Sequence, residues 1–253
     1  MKFSHTILAF TLLFGLCSTS LAQTPVPEIS AVLNHPDRSE ADRARDERSK
    51  PGQLLEFSGI KPGQTVVDVF SGGGYYAEIL SRFLGESGKV IAHNNSSYVS
   101  YAGEDLKVRY GEQRLTNVQQ VVQEANDLDV GTEVADAAFL VLAYHDIYYR
   151  AEGWPAIDGP IFLANIRRAL KPGGVVLVVD HRAVAGSSAD SGNDIHRIDP
   201  ALVKQGMEAA GFRFEREADF LANSNDNLLS SVFDPAVQGK TSRFVHLYRK
   251  PAN

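Results

Sequence analysis

The 253-residue sequence has one cysteine, Cys17, two methionines and one tryptophan. A lone cysteine closes no intramolecular disulfide, and because Cys17 sits within the first 22 residues, the rest of the chain has no thiol nucleophile. Excess basic charge is missing as well: the net charge is −6. Arg43, Arg45 and Arg48 alternate with Asp42, Asp46 and Glu47, which reads as a solvated helix face and not as the basic stripe of a nucleic-acid binder. The chain has no internal repeats and no low-complexity run, which excludes solenoid and fibrous classes. Its first apolar stretch, Ile7 to Leu16, is shorter than the about 20 residues that span a bilayer.

Apolar residues make up 43% and charged residues 22%, the balance of an ordinary globular enzyme of one medium-sized domain. At the N-terminus Lys2, the Ile7–Leu16 stretch and Ser20-Leu21-Ala22 form the pattern of a secretory signal cleaved after Ala22. The expectation is therefore an exported, periplasmic protein with no membrane span once the signal is removed. Three parts follow: a signal peptide over 1–22, an N-terminal arm with a lead-in helix over 23–58, and the main domain over 59–253. Residues 23–36 contain three prolines and read as a surface arm, and 37–58 read as helix interrupted at Pro51.

From residue 65 onward, short β-branched runs alternate with stretches of helical spacing. Strands are predicted over 65–70, 89–93, 118–123, 137–143 and 174–180, with helices over 75–83 and about 160–170. Five such strands imply a parallel sheet covered on both faces. Asp199-Pro200 starts a helix that Gly211 ends, and two last strands follow over 213–218 and 243–249. The polar stretch 219–242 between them is long for a hairpin connection, with Phe233-Asp234-Pro235 as its anchor.

The most informative stretch is Asp68-Val69-Phe70-Ser71-Gly72-Gly73-Gly74. Glycines between a strand and a helix let the backbone approach a ligand closely, and the helix N-terminus attracts a carboxylate or phosphate. A tight turn without a ligand is the plainer reading. Asp68, inside the strand, favours an ammonium-bearing ligand over a pyrophosphate, which it would repel.

On these residues the chain resembles the class I S-adenosylmethionine-dependent methyltransferases, whose first motif is an acid-containing strand followed by a glycine turn. The resemblance runs from about residue 60 to the C-terminus. It implies a Rossmann-like α/β fold: a seven-stranded, mostly parallel sheet with helices on both faces and an antiparallel last strand. Asp68, Ser71, Gly72, Gly73 and Gly74 fall on the motif, with Phe70 where its earliest glycine normally stands. Asn94 falls where an acid usually binds the ribose, and Glu124 with Ala125 where the adenine amine is held; a surface acid at a strand end is the alternative for Glu124. Arg45-Asp46, the Gly-Gly-Gly-Tyr-Tyr turn and Ser231-Val232-Phe233-Asp234-Pro235 with Gly239-Lys240-Thr241 are similar to a bacterial family of often secreted methyltransferases of unassigned substrate.

Tyr144-His145-Asp146 follows the fourth strand and Asp180-His181-Arg182 ends the fifth, at the end of the sheet where ligands sit. His145, Asp146 and His181 are the candidate catalytic residues, with a histidine as general base; packed, structurally satisfied histidines are the alternative. His145, Asp146 and His181 would also be the set for a divalent ion. They lie outside any metal-binding spacing motif, and no metal is assigned. His196-Arg197 either closes over this pocket or caps the following helix. The expected function is methyl transfer from S-adenosylmethionine to a small molecule. The rival is an exported, non-catalytic binding or scaffold protein that retains the fold, for which Phe70 and Asn94 speak. A nicotinamide enzyme ranks below both, because the strand acid precedes the glycines.

Overall fold

In the computed structural model, which describes Met1 and residues 27–252, the chain forms a seven-stranded sheet between helical layers. The signal-peptide stretch and the start of the arm lie outside the described residues. The strands are β1 (Thr65–Val69), β2 (Lys89–Asn94), β3 (Val118–Val122), β4 (Ala135–Val141), β5 (Leu170–His181), β6 (Arg213–Ala218) and β7 (Arg243–Arg249). Their order is β3-β2-β1-β4-β5-β7-β6. The pairs among β1 to β5 are parallel, and β7 runs antiparallel to both β5 and β6. This is the Rossmann-like sheet expected above, with its chain reversal at the last strand.

The helices are α1 (Ile29–Leu33), α2 (Glu40–Ser49), α3 (Pro51–Ser58), α4 (Tyr75–Leu84), α5 (Ser96–Tyr110), α6 (Gly159–Ala169), α7 (Asp190–Ile195) and α8 (Pro200–Ala209). Strand alternation assigns the core to two faces. Val67, Val69, Ala138, Leu140, Val176 and Val178 pack with Phe162 and Ile166 of α6 and Val203 and Met207 of α8. Val66, Val90, Phe139, Leu177 and Val179 pack with Leu54 and Leu55 of α3 and Ile79 and Leu80 of α4. Side chains of period two facing helices of period 3.6 on each side give a sheet buried on both faces.

Two expectations for the arm are corrected. The surface arm over 23–36 contains α1, whose Val32 is buried in the second core. The charged stretch of α2 is only partly a solvated face: Glu47 and Arg48 are exposed, but the others are engaged. Asp42 is buried and binds Arg109 of α5, Asp46 receives Arg38 at 2.6 and 2.8 Å, and Arg45 lies 4.0 Å from the centre of the Tyr75 ring. The longest helix, α5, was not read from the sequence, because SSYVSYAGEDLKVRY has no apolar stripe and only Ala102 and Leu106 are buried.

Candidate functional site

The glycine turn is built by left-handed backbone. Phe70 has φ +54°, Gly72 +56° and Gly74 +80°, and Gly74 N–H donates to the Ser71 carbonyl at 3.0 Å. The Asn94 amide brackets the turn: Gly72 N–H donates to Asn94 Oδ1 at 2.9 Å, and Asn94 Nδ2 donates to the Gly72 carbonyl at 3.0 Å. Asn94 thus positions the loop with the group that the resemblance assigned to the ribose. The other two glycines make room for α5. A Cβ on Gly73 would stand 2.9 Å from Asp105 Cβ, and one on Gly74 would stand 2.5 Å from Tyr110 Oη. Arg109 Nε donates to the Gly73 carbonyl at 2.9 Å.

Polar atoms without partners gather around this turn. Among the described residues, Asp68 Oδ2, Ser71 Oγ, Tyr110 Oη and Glu124 Oε2 are buried and make no hydrogen bond. Such atoms are uncommon in folded proteins and mark places where a water, ion or ligand completes the structure. Burial pushes the Asp68 carboxyl up to about 7, against the Ala77 N–H and the charge of Arg45. Glu124 uses its other oxygen to hold the start of α5, accepting from Ser96 Oγ at 2.6 Å and Ser96 N–H at 3.2 Å, and Ala125 is buried in the core. A cavity of about 520 Å³ beneath α5 is lined by Ser71, Asn94, Tyr110 and Gln120.

At the ends of β4 and β5 the structure brings three histidines together. His145 stands on the short 3₁₀ turn after β4, with Nδ1 2.8 Å from Asp180 Oδ1, and its backbone N–H donates to Asp180 Oδ2 at 2.9 Å. His145 Nε2 lies 3.3 Å from Asp146 Oδ1 and 3.2 Å from Nδ1 of His196. The His181 ring centre is 6.1 Å from that of His145, but its Nδ1 turns to Thr241 Oγ1 at 2.7 Å. Burial disfavours charge on His145, yet Asp180 and Asp146 outweigh it and raise the ring to about 9. The two carboxylates thus favour the charged form of the ring while no cation competes for Nε2. Burial, with the charge of His145, lowers His196 to about 4, so that ring is neutral.

Tyr98, on the first turn of α5, separates the two regions. Its ring stacks on Phe70 with centroids 5.0 Å apart and planes at 13°, and a Cβ on Gly72 would lie 4.0 Å from it. Its hydroxyl donates to Asp146 Oδ2 at 2.6 Å. Beyond it lies a cavity of about 410 Å³ with a floor of His145, Asp146, His181 and His196 and walls of Tyr101, Tyr149, Trp154 and Phe233. That cavity does not reach the glycine turn.

Of the residues assigned from sequence, the structure brings His145, Asp146 and His181 to one cavity and Ser71 and Asn94 to the other. Gly72, Gly73, Gly74, Glu124 and Ala125 line neither. Sequence reasoning missed Tyr98, whose helix lacked a periodic signal, and the role of Asp180. His196 enters the cluster and does not cap α8; that cap is Asp199, which accepts from Ala201 N–H.

The sheet order, the glycine turn after β1 and the strand-end pocket define a class I methyltransferase fold. Residues 67–178 match a family described as a methyltransferase domain. It is 26% identical over 142 residues to a ubiquinone/menaquinone biosynthesis C-methyltransferase of Teredinibacter turnerae, covering 56% of this chain and 53% of that protein. The Escherichia coli protein of the same name is 30% identical over 127 residues, 50% of this chain and 46% of the other. The chain thus spans about half the length of these relatives. Among solved structures, a SAM-dependent methyltransferase from Aquifex aeolicus aligns with TM-score 0.59 at 22% identity, over 88% of this chain and 98% of that one. The cyclase SpnF aligns with TM-score 0.55 at 18% identity, over 84% and 82%.

Proposed function

We propose that the chain is an S-adenosylmethionine-dependent methyltransferase acting on a flat small molecule. The observation that supports it best is the set of buried, unpartnered polar atoms on Asp68, Ser71 and Tyr110 around the glycine turn. They fit the cofactor's amino-acid end: a carboxylate for its ammonium group, and hydroxyls and turn N–H groups for its carboxylate. When bound, the cofactor supplies an electrophilic methyl group on a sulfonium. Asp68, Ser71, Gly72, Gly73, Gly74 and Tyr110 hold one end of it, and Asn94, Glu124 and Ala125 flank the adenosyl end. The acceptor lies against the aromatic walls of the strand-end cavity, where Asp146 and the three histidines control its proton. Tyr98 stands between the two and moves aside on binding.

Calorimetric titration with S-adenosylmethionine and with its demethylated product tests the reading. Replacing Tyr98 by Ala removes the blocking ring, so Tyr98→Ala is expected to bind at least about tenfold more tightly, because the competent form no longer has to be populated first. Absence of heat at millimolar ligand in both proteins would sink the proposal. That outcome would favour the second reading, a non-catalytic exported scaffold, for which the Phe70–Tyr98 stack and the engaged Asn94 amide speak. A shared fold does not decide between them.

The first 22 residues support export to the periplasm as part of this proposal. Mass spectrometry of the protein from a periplasmic extract is expected to give an N-terminus at Gln23. An intact Met1 would rule that cleavage out.

A further inference from the structure

We infer that His145, Asp146 and His196 form a binding site for one divalent transition-metal ion, with zinc as the fitting class, at the floor of the aromatic cavity. The inference is independent of the methyl-transfer reading. It starts from three donors of two chain segments that converge. His145 and Asp146 come from the turn after β4, and His196 from the residue that ends α7. One ligand atom from each lies within 4.8 Å of the others, and His145 Nε2 is 3.3 Å from the nearest Asp146 oxygen and 3.2 Å from His196 Nδ1. Zinc bonds of about 2.0–2.2 Å place tetrahedral ligands ~3.4 Å apart. Both distances from His145 Nε2 are thus close to the edge of such a coordination shell.

The surroundings supply what a ligating histidine needs. Asp180, fully buried, holds His145 Nδ1 at 2.8 Å and its backbone N–H at 2.9 Å, which fixes the ring and leaves Nε2 facing the other two donors. A carboxylate behind the imidazole is the usual support of a metal-bound histidine. Tyr98 donates to the second oxygen of Asp146 at 2.6 Å and leaves Oδ1 to the site. His196 has φ +54° and places its ring edge-on to that of His145, at 5.2 Å between centroids. Two imidazoles and one carboxylate are a donor set for zinc or ferrous iron with positions left open. Tyr149, Trp154 and Phe233 line the same cavity as the three donors. A flat molecule with an oxygen or nitrogen donor would fit between these rings and the ion, which would lower the pKa of that donor. His181 is turned away to Thr241 and is not a ligand, so the set differs from that considered in the sequence.

The test is zinc titration of the purified, metal-stripped chain by calorimetry, with cobalt absorption as a second readout. One equivalent is expected at micromolar affinity or tighter, with visible cobalt bands of a low-coordinate site. Asp146→Asn and His196→Asn are each expected to weaken binding at least about 100-fold. Asn at 196 tolerates the left-handed backbone, and Asn at 146 can still accept from Tyr98, so both variants keep the fold, as thermal melts will show. Asp180→Asn, which acts through His145, is expected to weaken binding about 10–100-fold. No binding at millimolar zinc, or binding unchanged in the Asp146 and His196 variants, overturns the site. Because the titration contains only metal and protein, it stands or falls apart from cofactor binding.

Discussion

Asp226→Ala is expected to destabilise the protein by about 3–5 kcal/mol, because it leaves a fully buried arginine without its counter-charge. Arg197 donates to Asp226 through Nη1 at 2.8 Å and Nη2 at 3.0 Å, and both side chains are shut off from solvent. Asp226 also accepts from the Ser242 N–H at 2.6 Å and the Leu228 N–H at 3.2 Å, while Arg197 reaches the carbonyls of Ser230 and Arg182. One ion pair therefore anchors the connection between β6 and β7 to the segment that carries His196. Burial would raise the Asp226 carboxyl, but Arg197 and the two N–H groups outweigh it and hold it below the usual range. A depressed folded value means that this stabilisation is present above the unfolded value of about 3.9 and is lost as pH falls through the folded one. Urea unfolding at neutral pH measures the loss. A cost below about 1 kcal/mol would mean that the pair is hydrated or that its neighbours replace it.

Asp68→Asn is expected to act in the opposite direction, and only at higher pH. Burial raises the Asp68 carboxyl to about 7, above its unfolded value of about 3.9, so the folded state favours the protonated form. Stability from this group is fully present below about pH 4 and is lost as pH rises through about 7. The amide removes that loss and can still accept from the Ala77 N–H. At pH 8 the variant should be more stable by up to about 4 kcal/mol, and at pH 4 the two proteins should be alike. Denaturant midpoints at the two pH values give the answer, and a variant less stable at pH 8 would show that the carboxylate has a partner when ionised. A strand acid that costs stability is what a ligand-binding role would maintain, and the same variant is expected to lose affinity for S-adenosylmethionine.

The frame was legible because its signals are local. Thr65–Val69 and Arg243–Arg249 are β-branched or aromatic runs, α8 has an acid followed by proline at its start, and each could be placed within one or two residues. Helix α5 escaped because it buries only two apolar side chains and is held by polar contacts to other segments, among them Arg109 to Asp42, Glu78 and the Gly73 carbonyl. Missing that helix hid Tyr98, and with it the wall between the glycine turn and the histidine cavity. The α2 charges read as solvated in the sequence for a similar reason: Arg109, the partner of Asp42, and Tyr75, beneath Arg45, lie far along the chain.

The sequence by itself determined the α/β class, the run of parallel strands and the location of the glycine turn, since periodicity and turn chemistry depend on neighbours a few residues apart. Which side chains share a site was decided by the tertiary structure alone. His145, Asp180 and His196 meet only because β4 and β5 lie side by side and the segment after α7 folds back over their ends. The raised pKa of His145 follows from that meeting, because two nearby carboxylates outweigh burial, which by itself would lower it.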